Sequence, residues 1–242
     1  MSGSQALDSF LDKWRARWPE WAVAEVFVPP GQRARAVAWF ALLQELDDIL
    51  NVQGDPLPAD AKLGWWATEL CDWQAHRSRH PLGRLLEPAD APWQRLADAL
   101  PALVDARARA SDGDAALAAL AGFAGAAAAV EAALLEAPPA VAPALAAQVL
   151  ASRLAEAGLD AVPQSLQPAT DGADAREQAR RAWAGWLLDA WPARAGGALP
   201  RRVWSALARE RLRSFAAARP PGRGGRPMRT LWQAWRAARR RS

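Results

Sequence analysis

The chain has no tyrosine, one cysteine (Cys71), one isoleucine (Ile49), one asparagine (Asn51) and only two lysines, Lys13 and Lys62. A lone cysteine excludes an intrachain disulfide and any zinc site built on cysteines. Histidine is nearly as scarce. His76 and His80 lie four apart, but zinc needs a better-defined third ligand, so the spacing reads as a surface or capping pair. There is no serine-hydrolase elbow, and GRGGR lacks the strand that a phosphate-binding glycine loop requires. The start, MSGSQALDSF, does not follow the charged-then-apolar order of a secretory signal. The most apolar window, residues 115–130, is mostly alanine and falls short of the ~20 residues a membrane span needs. A cytoplasmic protein is expected, at most peripheral at the inner face of a membrane.

Arginine, alanine, tryptophan and proline are plentiful instead, a bias that a GC-rich genome would impose. The high pI is therefore an arginine property. From Pro200 onward there are thirteen arginines against Glu210 alone, a net +12; because the whole chain is +4, residues 1–199 carry −8. An acidic body bears a basic end.

Apolar residues recur at three-to-four-residue spacing throughout and never in sustained alternation, which predicts an all-α fold. Phe10, Trp14 and Trp18 share one face of a first helix that should stop before Pro19. Pro29-Pro30-Gly31 suits the opening of a second helix, because proline in the first turn forfeits no internal hydrogen bond. Further helices are predicted over 59–77, 92–109, 114–136, 142–157, 173–191, 203–218 and 228–241. Residues 1–218 read as one helical domain, and 219–242 as a Pro/Gly/Arg linker followed by a basic amphipathic helix. The fourteen tryptophans, at helical spacing, read as core whose indole N–H groups require partners.

LLQELDDILN places two aspartates in an apolar run. On a helix Asp47 and Asn51 lie on one face, Gln44 sits a turn earlier, and Asp48 is rotated by about 100°. One such cluster can anchor a magnesium ion, whereas clamping a departing diphosphate needs a second cluster opposite. Taken alone, a pair of aspartates is more often the solvated side of a helix.

The surroundings add to this. FVPPGQRARAVAWFALLQELDDILN resembles the first acid-rich helix of the squalene and phytoene synthase family, and KLGWWATEL followed by HPLGRLL resembles its next helix. The stretch from ALAALAGFAG to ASRLAEAG is similar to the later helix pair of that family, which ends in the second acidic motif. The likeness covers most of residues 21–163 and thins beyond.

It implies a single-domain helical bundle of the isoprenoid synthase type with a central cavity, in which active members join two isoprenoid diphosphates head to head using Mg2+. Residue by residue, Asp47 and Asp48 match the first two aspartates of the first motif, with Asn51 at its last. Gln44 stands where the motif has an arginine, Phe40 where it has an aromatic with a hydroxyl, and Arg33 matches the upstream arginine. In the second motif Gln148 is retained, Arg153 comes one residue early and Leu154 replaces the key aspartate, leaving only Glu156 or Asp160 as substitutes.

The basic end, RPMRTLWQAWRAARRRS, sets Leu231, Trp232 and Trp235 along one side with Arg236, Arg239 and Arg240 around them, the pattern of an interfacial helix. Nucleic acid is a poor fit, because a basic tail without a recognisable binding fold attracts it without regard to sequence. Three readings stay open. The first is a catalytically degenerate relative acting as an isoprenoid- or diphosphate-binding or assembly protein, its protein partner unidentified. The second is an active magnesium-dependent prenyl transferase in which Glu156 and Asp160 cover for the missing acids. The third is a membrane-surface adaptor acting through the terminal helix.

Overall fold

The computed structural model describes residues 3–218 and 227–239. Its first helix, α1 (Gly3–Arg17), buries Trp14 on the face set by the apolar spacing and stops ahead of Pro19. A short α2 (Trp21–Ala24) and a 3-10 turn, Glu25–Phe27, lead to α3 (Pro30–Leu50), which opens on a proline as its sequence requires. Every residue from Ala36 to Leu42 is buried, so α3 runs through the interior and is covered on all sides.

α4 (Leu57–Gln74) begins two residues earlier than expected, because Pro58 sits in its first turn, where it costs no hydrogen bond. It also ends three residues early. The buried Glu69 carboxylate accepts from Trp73 Nε1 (2.8 Å) and from the backbone N–H groups of Arg79 (2.6 Å) and His80 (2.7 Å), folding the chain back through His76 at φ 54°. The two histidines part company there. His80 is enclosed by Phe10, Trp65 and Trp66, accepts from the Leu82 N–H through Nδ1, and is pushed by burial down to about 4. His76 is exposed, 3.4 Å from Glu87.

After α5 (Gly83–Leu86), the helix expected over 92–109 is two: α6 (Trp93–Ala99) and α7 (Pro101–Asp105). Pro101 has no N–H to continue the first and opens the second. The expected 114–136 helix is likewise divided into α8 (Gly113–Ala119) and α9 (Ala121–Leu134), bent by 49°. Asp112 caps α8, accepting from the Ala115 N–H at 2.8 Å. No single described helix is long and apolar enough to cross a membrane, although this bent pair passes the test together; the buried Phe123, Ala127, Val130 and Leu134 mark α9 as a core helix.

α10 (Ala142–Ala157), α11 (Ala173–Ala190), α12 (Leu199–Ala216) and α13 (Pro227–Arg239) complete the order. α12 starts four residues earlier than expected, taking Pro200 into its first turn. Among the described residues there is no strand, only an isolated bridge between Ala140 and Gly196.

Ten of the fourteen tryptophans are buried. Trp14, Trp18, Trp21, Phe40 and Trp204 form one aromatic cluster across α1, α2, α3 and α12, with centroids 4.3–6.5 Å apart. The expectation that each indole N–H finds a polar partner is corrected. Trp39 and Trp73 donate to Glu131 and Glu69, but seven buried indoles have no such acceptor. Six of those seven instead have an edge-to-face aromatic neighbour, whose electron-rich face is a weak acceptor.

Candidate functional site

α1, α3, α9, α10, α11 and α12 enclose a pocket of about 310 Å³. Its walls are mainly apolar, with Leu43, Phe123, Leu145, Val149, Trp204 and Phe215 among them, and its polar groups gather on α3 and α10 and around Arg17, Arg180, Arg201 and Arg211.

Helical spacing delivers the polar groups. Gln44 and Asp47 lie one turn apart on α3, and Gln148, Ser152 and Glu156 follow at four-residue steps on α10. The Ser152 hydroxyl donates to Asp47 Oδ2 at 2.5 Å and the Gln44 amide donates to the same oxygen at 3.2 Å. Asp47 is 9 % exposed, and its other oxygen, Oδ1, is buried without a hydrogen-bond partner. Burial pushes this carboxyl up to about 7, against the pull of the Ser152 hydroxyl and of Arg17. Such a group holds its proton into the neutral range.

Asp48, rotated away from Asp47, faces α1. It accepts from Lys13 (3.3 Å), from Arg17 (3.4 Å) and from the Gln44 amide (3.0 Å). Arg17 reaches further: its second nitrogen pairs with Glu156 on α10, so one guanidinium joins the first acidic stretch to the acid opposite. Beneath, Glu45 takes Lys13 and Lys62, each at 2.7 Å. Burial alone would raise the Glu45 carboxyl; the two ammonium groups outweigh it and hold it below the usual carboxylate range.

The other pocket arginines are also committed. Arg201, fully buried, pairs with Glu131, which accepts from Trp39 as well, and its guanidinium lies 5.0 Å from the Phe40 ring centroid and 4.7 Å from that of Trp204. Arg211 stacks on Trp18 at 3.8 Å and pairs with Glu20, while Arg180 pairs with Glu177. Each of the four positive charges at this pocket therefore already has a carboxylate.

The residues singled out in sequence divide accordingly. Gln44, Asp47, Gln148 and Glu156 come together in the pocket, and Asp48 stands beside it. Asn51 instead closes the end of α3, its amide donating to the Asp47 carbonyl at 3.0 Å. Arg153 turns away from the pocket and donates to the carbonyls of Leu50 and Arg107. Asp160 pairs with Arg109 at an exposed position, and Arg33 donates to the Val28 carbonyl; neither lines the pocket. Phe40 lies in the core under Arg201 and Trp204.

Arg17, Ser152 and Arg201 are site residues that sequence reasoning did not single out. Glu131 carried the one usable signal for Arg201: a lone acid inside an alanine-rich helix must find a cation once buried.

These residues do not fit a magnesium centre. Among the described residues no group of three or more His, Cys, Asp and Glu side chains could hold a metal ion. Asp48 on α3 and Glu156 on α10 are both tied to Arg17. No family model, curated protein or solved structure matches this chain.

At the basic end, α13 docks through Thr230 and Ala234 onto the body, with Leu231 half-buried, while Trp232 and Trp235 stay exposed. Arg236 stacks over Trp232 at 4.5 Å and Arg239 over Trp235 at 4.8 Å; Arg240 lies outside the described residues.

Proposed function

We propose that this chain is a non-catalytic relative of the squalene and phytoene synthases, built on the helical isoprenoid synthase plan, and that it binds an apolar, isoprenoid-like chain in its pocket without magnesium. The observation that carries the reading is Arg17. Its guanidinium takes the position between Asp48 and Glu156 that a cation would need in order to bridge two acidic motifs. A covalently attached counter-ion pairs with both carboxylates, Lys13 supplying a second charge at Asp48, but cannot follow a leaving group or keep open coordination positions for it.

The same bookkeeping bears on the ligand. A diphosphate needs cations to spare, and the four pocket arginines are each paired already, so its burial would go uncompensated. The apolar walls suit a prenyl chain, and a neutral polar end is better matched than a charged one to Asp47 and the two glutamines. The alternative, an active magnesium-dependent transferase, requires Arg17 to vacate both acids and Asp160 to leave Arg109 and enter the pocket.

Titration calorimetry with farnesol and with farnesyl diphosphate, each in EDTA and in magnesium, tests this. Farnesol is expected to bind with an affinity indifferent to magnesium and tighter than that of the diphosphate. Tight binding of farnesyl diphosphate that requires magnesium would overturn the proposal.

A further inference from the structure

α13 is turned the wrong way for a helix whose only task is to cover the core. It presents Thr230 and Ala234 to the protein and leaves Met228, Trp232 and Trp235 at 76 %, 52 % and 41 % exposure. At about 100° per residue, these three and Arg239 fall within roughly 60° of one another, on the side opposite Thr230. Val26, in the 3-10 turn against which α13 packs, is 58 % exposed as well. An exposed stripe of large apolar side chains on a docked helix signals a partner surface.

Beside this stripe lies a second cleft, of about 320 Å³, between α12, α13 and the residues that follow α11. Its lining includes six arginines and a single acid, Glu210, a balance of +5. Glu210 takes Arg213 at 2.7 Å and also pairs with Arg229, and Arg209 donates to the carbonyls of Leu188 and Pro192. Arg194 has no ion-pair partner among the described residues. Trp232 belongs to both features, lining the cleft and standing in the stripe.

We infer that this face is a docking surface for an anionic lipid bilayer. Met228, Trp232 and Trp235 enter at headgroup depth while Arg194 and Arg236, at the mouth of the cleft, meet lipid phosphates. The charge is complementary to such a surface, and indoles with arginines stacked on them suit the boundary between headgroup and acyl chain. Nucleic acid shares the charge complementarity, but gains nothing from an exposed apolar group such as Met228, which a bilayer buries. This inference is independent of what the pocket holds.

Flotation of the full chain with phosphatidylcholine vesicles, with and without phosphatidylglycerol, tests it. Binding is expected only with the anionic lipid and should weaken as salt rises. Trp232→Ser with Trp235→Ser should weaken binding about tenfold for each tryptophan, and Arg194→Glu by at least about fivefold. All three positions are on the surface described here, so thermal unfolding of the variants should match that of the unaltered chain. Absence of binding to anionic vesicles at low salt, undiminished binding of the tryptophan variant, or retention of a single-stranded oligonucleotide without vesicle binding would each overturn the inference, the last in favour of nucleic acid.

Discussion

Replacing Asp47 with asparagine should stabilise the protein at pH 8 and lose that advantage as the pH is lowered. The carboxyl is 9 % exposed, its Oδ2 accepts from Ser152 and Gln44, and its Oδ1 has no partner. Its folded-state value of about 7 stands against 3.8 for an aspartate free in water. The folded chain therefore holds the proton more tightly than the unfolded chain does, which adds stability at low pH; that stability is lost as pH rises through about 7, where a buried charge must form. At about 1.36 kcal/mol per unit, the Asp47 carboxyl should cost the unaltered chain about 2–3 kcal/mol between pH 5 and pH 8 relative to the asparagine variant. For a chain of this length that is about 5–10 °C in Tm. Asparagine keeps the shape and one acceptor oxygen but cannot ionise, so its profile should lack this slope. His80, pushed down to about 4 from 6.5, adds stability as pH rises from 5 to about 6.5, but it does so in both proteins alike and cancels in the comparison. Urea midpoints measured in parallel from pH 5 to pH 8 read the difference directly. Profiles of equal slope for the two proteins would refute the reasoning.

Arg17→Ala frees two partly exposed ion pairs and should cost about 1 kcal/mol, or about 2–4 °C in Tm. The telling readout is magnesium, which should raise the Tm of this variant but not of the unaltered chain. Arg201→Met leaves Glu131 buried with only the Trp39 N–H, and should cost about 3–5 kcal/mol in denaturant titrations. Adding Glu131→Gln to it should restore most of that loss. Gly113→Ala would place a Cβ 2.4 Å from the Trp186 ring and should cost about 1–3 kcal/mol, whereas Gly122→Ala, with nothing within 4 Å, should stabilise by about 0.4–1 kcal/mol, both measured by thermal unfolding.

The helices were legible where apolar periodicity and a bounding proline agreed, as in α1, α3 and α10. They were misread at Pro101 and around Leu120, where a continuing apolar pattern masks a break in backbone direction. The pocket was half legible. Gln44, Asp47, Gln148 and Glu156 recur at helical steps that sequence displays, so their shared face could be anticipated. What periodicity cannot supply is the partner from a distant helix. Arg17 lies 139 positions from Glu156 and Arg201 lies 70 from Glu131, and only packing brings either pair together. Arg153 shows the converse: its place in a motif suggested a ligand contact, but the two carbonyls it satisfies lie away from the pocket. At the basic end, one amphipathic stripe fits both a buried and an exposed seam, and the small Thr230 and Ala234 decided which side docks.

Inorganic pyrophosphate released from farnesyl or geranylgeranyl diphosphate in the presence of magnesium is the measurement closest to the claim that a fixed guanidinium has taken over from a bound metal. The account predicts release no faster than in buffer without protein, and no change on converting Asp47 to alanine. Sustained release that requires magnesium and disappears in the Asp47→Ala protein would contradict it.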